Sequence, residues 1–253
     1  MPAYNPFSLE EKTVLITGAS SGIGAETAVE CSRLGATVII TGRNESRLQE
    51  TFSRLDGASP QGHQMVLADL TDDADVARLI EQIGRIDGLV LCAGKGMTAP
   101  FSFCSREKYD DLFNINFFAP VELLRLLIKN KKLNREASVV FVSSIGGNGS
   151  YNLGNAIYGA SKAALDSTMK FCAKELAGKR IRVNSVCPGM VDTEFIRNSV
   201  FSEEQLKIEI EKYPLKRFGN PLDIARGIVY LLSDASSWVT GASLVIDGGF
   251  LLK

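Results

Sequence analysis

The feature that most constrains this chain is a rhythm: short apolar runs rich in β-branched residues alternate with longer stretches of helical periodicity. The runs are Val14–Thr17, Ala36–Thr41, His63–Ala68, Gly88–Cys92, Ser138–Ser143, Arg180–Val186 and Ala242–Ile246. One helical pattern follows the first run (Ala25, Ala28, Val29, Leu34), and a second is capped by Asp72 and ends near Gly84. A third spans Ser105 through Lys131, and a fourth carries Tyr158 to about Ala177. Right-handed crossovers gather such units into one parallel sheet with helices on both faces. The expectation is an α/β fold, a doubly wound Rossmann-type sheet of about seven strands. The 253 residues suit one such domain, and no repeat, low-complexity tract or linker divides residues 1–253.

Val14-Leu15-Ile16-Thr17 runs directly into Gly18-Ala19-Ser20-Ser21-Gly22-Ile23-Gly24 and then into a helix. Strand, glycine turn and helix together present backbone N–H groups and a helix N-terminus to a phosphate. The spacing is G-x-x-x-G-x-G, not G-x-G-x-x-G; a glycine cluster alone also describes a flexible loop, and its placement favours phosphate. Sites that take NAD place an acid about 20 residues beyond the glycines, on the ribose hydroxyls. Here that place holds Gly42, followed by Arg43. A guanidinium accepts the 2′-phosphate that a carboxylate repels, so NADP(H) is favoured over NAD(H). The plainer reading of Arg43 is a solvated turn residue.

Tyr158 and Lys162 stand four apart and share a helix face. An ammonium beside a phenol favours the phenolate, so Lys162 is expected to lower a Tyr158 pKa that is ordinarily about 10. That pair would serve carbonyl reduction, which needs a proton donor at the reacting oxygen. By itself the pattern equally describes two surface residues. Its weight comes from convergence: Gly18, Cys92, Ser144 and Pro188 all follow strand ends, where parallel sheets bind ligands.

Together these residues resemble the short-chain dehydrogenase/reductases along essentially the whole chain. Thr17 through Gly24 look like that family's cofactor turn (Gly18, Ser20, Ser21, Gly22, Ile23, Gly24), and Asp69-Leu70 like its adenine-contacting pair. Cys92-Ala93-Gly94 stands where the family commonly has Asn-Ala-Gly, a departure at the first residue. Asn116, Ser144, Tyr158 and Lys162 match the catalytic tetrad. Pro188, Gly189 and Val191 lead to Thr193, where the family's Thr contacts the nicotinamide amide. Asn184 also matches, and Thr240-Gly241-Ala242 through Asp247-Gly248-Gly249 resembles the closing strand and turn. Ser144 and Tyr158 are one residue further apart than is commonest, which implies an altered substrate loop.

The resemblance implies NADPH-dependent reduction of a ketone to a secondary alcohol. Tyr158 would give the proton and Ser144 would hold the carbonyl oxygen. Lys162 would tune Tyr158 and hold the nicotinamide ribose, and Asn116 would support a water relay. A substrate loop is expected at about 190–214, including Thr193-Glu194-Phe195-Ile196 and Ser202 through Leu206. Pocket candidates are Met97, Phe101, Ile145, Tyr151, Leu153, Met190, Phe195 and Ile196; some of these are as well read as ordinary core. Mostly apolar, they suit a fatty acyl, steroid or cyclic ketone better than a phosphorylated sugar. The pattern is most similar to the 3-oxoacyl-[acyl-carrier-protein] reductases, which would make Lys132 and Lys179 contacts for an acidic carrier protein. Lysines of this kind are far more often merely solvated. Apolar residues around much of the Ser105–Lys131 and Tyr158 helices fit the family's habit of forming homotetramers.

Bulk properties narrow the partners. A net charge of −1 argues against nucleic acid or an anionic membrane. Five cysteines (Cys31, Cys92, Cys104, Cys172, Cys187) are too scattered for a metal site and odd in number for a disulfide framework. No signal peptide or bilayer-spanning run is visible, so a cytoplasmic location is expected. Two alternatives remain: an NAD-dependent alcohol, sugar or steroid dehydrogenase, which Gly42 disfavours, and a non-catalytic NADP-binding regulator, which has no need of Tyr158 or Lys162.

Overall fold

The computed structural model describes residues 4–57, 62–193 and 202–252. Strands β1 (Thr13–Thr17), β2 (Thr37–Gly42), β3 (Gln64–Leu67), β4 (Ile86–Leu91), β5 (Leu133–Val142), β6 (Arg182–Pro188) and β7 (Ser243–Ile246) form one sheet in the order β3-β2-β1-β4-β5-β6-β7. Every neighbouring pair is parallel. Strand order reverses between β1 and β4, the switch point at which such sheets hold ligands.

Helices cover both faces, and the two-residue side-chain period assigns each strand residue to one of them. Leu15, Ile39, Leu89, Val139, Phe141 and Val183 pack into one core. It is closed by α3 (Asp73–Gln82), α5 (Ala119–Lys129) and α7 (Ala156–Leu176). Val14, Ile16, Val38, Ile40, Val90, Val140 and Val186 pack into the other, against α1 (Gly22–Arg33) and α9 (Pro221–Leu232). This two-sided burial is why the strands read as unbroken apolar runs.

Local chemistry sets the helix ends. Asn44 caps α2 (Glu45–Ser53), Asp72 caps α3 and Ser105 caps α4 (Arg106–Phe113), each side chain accepting from a backbone N–H of the first turn. Ser202 and Asn220 form capping boxes at α8 (Glu203–Glu211) and α9. The helix expected from Ser105 to Lys131 is not one regular α-helix: α4 passes into α5 through a π-helical turn at Asn114–Phe118. Such turns concentrate at functional positions, and this one carries Asn116.

Candidate active site

The glycine turn is built by backbone crowding. Gly18 has φ +65, and a Cβ there would stand 2.8 Å from the Ala93 Cα. A Cβ on Gly24 would stand 2.3 Å from the Gly18 carbonyl oxygen, so the turn can close over α1 only without side chains. Thr17, beneath it, accepts from the N–H groups of Cys92 (3.0 Å) and Ala93 (3.2 Å), which stitches the Cys92-Ala93-Gly94 segment to the turn. Thr193 faces Gly22, its methyl carbon 3.2 Å from where a Cβ would sit. Pro188 ends β6, Gly189 bonds to Ile246, and Val191 bridges to Gly219.

This cradle fits a dinucleotide phosphate. The N-cap Ser21 makes no side-chain capping bond, and the first turn of α1 holds no acid, so the positive helix end is left for an anion. Ser20 lies against Gly42, with Oγ 3.4 Å from a Gly42 Cβ position. Arg43 is exposed and pairs with Asp69 at 3.4 Å, which draws the two adenosine-end candidates together. Burial raises the Asp69 pKa, but hydrogen bonds from Thr71 and the Arg43 charge outweigh it and hold the carboxyl below its ordinary value. Leu70 is buried beside it.

At the other end of the crevice, Ser144 caps the short α6 (Ile145–Asn148), its Oγ accepting from the Gly146 N–H at 3.1 Å. The same hydroxyl faces the Tyr158 phenol and lowers its pKa, against burial. The Lys162 Nζ lies 5.8 Å from the Tyr158 ring centroid, donates to the Val142 carbonyl at 2.9 Å, and sits 3.5 Å from where a Gly94 Cβ would be. The four tetrad residues and Gly94 therefore meet at the carboxyl ends of β4 and β5.

One expectation needs correction here. The Tyr158 pKa does not fall below its ordinary value: burial raises it, the Ser144 hydroxyl only partly offsets that, and the Cys92 and Cys187 thiols add to it. Burial also lowers Lys162 to about 8, so the lysine loses its charge before the tyrosine would ionise. The Asn116 side chain is hydrogen-bonded at both of its polar atoms. Its Oδ1 accepts from the Lys95 N–H (2.9 Å), and its Nδ2 donates to the Lys95 carbonyl (2.9 Å) and Ser161 Oγ (3.2 Å). It pins the loop after β4 to the π-helical turn and to α7.

The pocket candidates divide. Ile145 is buried, Met97 and Met190 are half-buried, and Phe101, Tyr151 and Leu153 are exposed. Two loops rim the crevice together, because the Ala99 N–H donates to the Gly154 carbonyl at 2.9 Å. Glu194, Phe195 and Ile196 lie outside the described residues. Lys132 is committed to the Ile83 carbonyl at 2.6 Å. Lys179 lines a basic hollow of about 180 Å³ with Arg85 and Lys131. That hollow is at the amino ends of β4 to β6, the opposite end of the sheet from Ser144.

Sequence and structure comparisons converge. A family model described as enoyl-(acyl carrier protein) reductase matches residues 18–251. A 3-oxoacyl-[acyl-carrier-protein] reductase of Thermotoga maritima, FabG, is 36% identical over 96% of this chain and 99% of its own. The chain belongs to the short-chain dehydrogenase/reductase family. A 2-keto-3-deoxy-L-fuconate dehydrogenase of Xanthomonas campestris is 32% identical over 96% of this chain and 81% of its own. Among solved structures, the Pseudomonas aeruginosa RhlG/NADP active-site complex superposes with a TM-score of 0.89 at 30% identity, covering 98% of this chain and all of that one. As a member of this family, the chain is an oxidoreductase acting on CH–OH/C=O groups with a nicotinamide cofactor.

Sequence reasoning missed the residues that hold the short-chain dehydrogenase/reductase site together. A Cβ on Gly159 would stand 2.6 Å from the Gly146 carbonyl oxygen, and one on Gly147 would stand 2.7 Å from the Ala163 nitrogen. These glycines let the Ser144 turn lie backbone to backbone on α7. The available signal was Gly159 inside a helix, where glycine costs about 1 kcal/mol relative to alanine and so needs a packing reason.

Proposed function

We propose that this chain is an NADP(H)-dependent reductase that converts a ketone with an apolar substituent to a secondary alcohol, working as one domain over residues 1–253. The observation that carries the reading is the convergence of Ser144 and Tyr158 on Gly146 beside Lys162, which faces Gly94 at the mouth of the cofactor cradle. The raised Tyr158 pKa favours the protonated phenol at neutral pH, the form that reduction consumes. Ser144 and Tyr158 would both donate to the carbonyl oxygen, holding it and stabilising the negative charge that develops there. A bound reduced nicotinamide supplies the hydride. Tyr158 then passes its proton to the oxygen, and the nearby Lys162 ammonium steadies the phenolate until it is reprotonated. A water relay that refills Tyr158 would run through Lys162 with the support of Asn116, which the π-helical turn places beside Gly94.

Arg43 beside Gly42 supports the choice of NADP(H): the strand ends in glycine where an acid would repel a 2′-phosphate, and the exposed guanidinium, held only by a long 3.4 Å contact to Asp69, can turn to the phosphate. Phe101, Tyr151 and Leu153 on the rim favour an apolar substrate over a sugar acid. A carrier protein docked at Lys179 would stand at the far end of the sheet from the same subunit's Ser144, so the reading commits to the ketone and not to the carrier. Phe118 and Phe171 remain exposed on the long helices and support assembly as a homotetramer. The deciding experiment assays a panel of carbonyls (3-oxoacyl thioesters, cyclic ketones, steroid ketones, keto sugars) with NADPH and NADH by nicotinamide absorbance. Turnover confined to keto sugars with NADH would sink the reading.

A further inference from the structure

One buried charge beside the site has no part in the reaction as proposed. Asp166 is 2% exposed, one turn beyond Lys162 on α7. Its Oδ2 accepts from Asn148 Nδ2 and from the Cys187 thiol at 3.6 Å, while its Oδ1 has no partner among the described residues. A buried carboxylate with an unmatched oxygen is costly and persists where an opposite charge compensates it. Lys162, 5% exposed, stands at i−4 on the same helix, an opposite charge one turn away though not in direct ion-pair contact.

The titratable groups facing Lys162 come from three elements: Tyr158 and Asp166 from α7, Cys92 from the end of β4, and Cys187 from β6. Burial pushes Cys92 up to about 11 and Cys187 up to about 12, and it raises Tyr158 as well. All three are neutral at neutral pH. Asn116, Ser143 and the Val142 carbonyl are uncharged. Among the described residues, Asp166 is the one anion that faces the ammonium.

We propose that Asp166 is a positioning residue acting through Lys162: its carboxylate is the counter-charge that keeps the Lys162 ammonium charged beside Tyr158, and through Asn148 it ties the Ser144 turn to α7. Cys187, donating to the same oxygen, fixes the carboxylate between β6 and the helix. Lys162 titrates at about 8, a margin above neutrality that the carboxylate helps to maintain. The catalytic consequence rests on the function proposed above; the charge coupling does not.

The test titrates Lys162 in cofactor-free protein by NMR of [ε-13C]lysine, with the resonance identified by its loss in Lys162→Met. Asp166→Asn keeps an oxygen for Asn148 but removes the charge. It should lower the Lys162 midpoint by about one pH unit, a tenfold loss of proton affinity, and move the alkaline limb of kcat/KM the same way. Asn148→Ala should leave the midpoint in place and lower kcat. An unchanged midpoint in Asp166→Asn overturns the proposal. If Asp166→Asn does not fold, Asp166→Ser carries the same measurement; failure of both to fold would mark Asp166 as structural and equally overturn it. A shifted midpoint in a protein that reduces no carbonyl leaves the coupling standing and removes the function instead.

Discussion

Replacing Lys162 with Met separates what the site costs from what it does. The ammonium is buried, and burial lowers its pKa from 10.5 to about 8. Between those values the unfolded chain holds a proton that the folded protein has released. Unfolding therefore takes up a proton, and wild-type stability rises with pH across this window. Summed over the full shift, the charged lysine costs the fold about 3 kcal/mol at neutral pH relative to strongly alkaline pH. Lys162→Met removes that term. It also leaves the Val142 carbonyl without its donor, a loss of about 1–3 kcal/mol that does not vary with pH. The net change at neutral pH is thus a small difference of opposed effects, but its pH dependence is not. From about pH 7 to about pH 10, wild-type stability should gain about 2–3 kcal/mol on the variant. Urea unfolding of both proteins at one protein concentration, followed by far-UV circular dichroism, reads this difference with the other titrating groups cancelled. A difference that stays flat with pH would refute the claim that Lys162 is a buried, strained charge. The variant should also lose nearly all turnover.

Arg43→Ala should weaken NADPH binding at least about tenfold, the worth of a charge-assisted contact, and leave NADH binding almost unchanged; equal losses measured by fluorescence titration would reject a 2′-phosphate contact. Gly159→Ala inserts a Cβ 2.6 Å from the Gly146 carbonyl oxygen. Such overpacking should cost about 1–3 kcal/mol in urea unfolding and lower kcat by displacing Ser144, so a variant as stable and active as wild type would show that the contact is not needed. Light scattering should find a tetramer at micromolar concentration, reduced to smaller species by Phe118→Asp with Phe171→Asp; a stable wild-type monomer would refute the assembly.

The strands were legible because burial on both faces leaves only apolar β-branched runs, and Val14–Thr17 or Val139–Val142 admit no other reading. The ends were less so. β5 begins at Leu133, and the polar Asn134-Arg135-Glu136 masks its first half, where the pairing with β4 shifts register between Ile86 and Gly88. The π-helical turn was invisible because one extra residue per turn barely disturbs the apolar pattern around Asn116. Tyr158, Ser144 and the glycine turn stood out because their chemistry lies in residue type and order. Their protonation states did not, since the Tyr158 and Lys162 pKa values are set by burial that no spacing reveals. The Asn148–Asp166–Cys187 contacts join three elements distant in sequence, so nothing local marked them.

The most direct test of the account is Tyr158→Phe, assayed on the best ketone found and, separately, for cofactor binding. The substitution keeps the ring against Gly146 and removes only the hydroxyl that faces Ser144. Turnover should fall by at least about 10²–10⁴-fold, the usual worth of a general acid, while the affinity for NADPH stays within a few-fold of wild type. Near-normal turnover in Tyr158→Phe would contradict the account, because some other group would then be giving the proton.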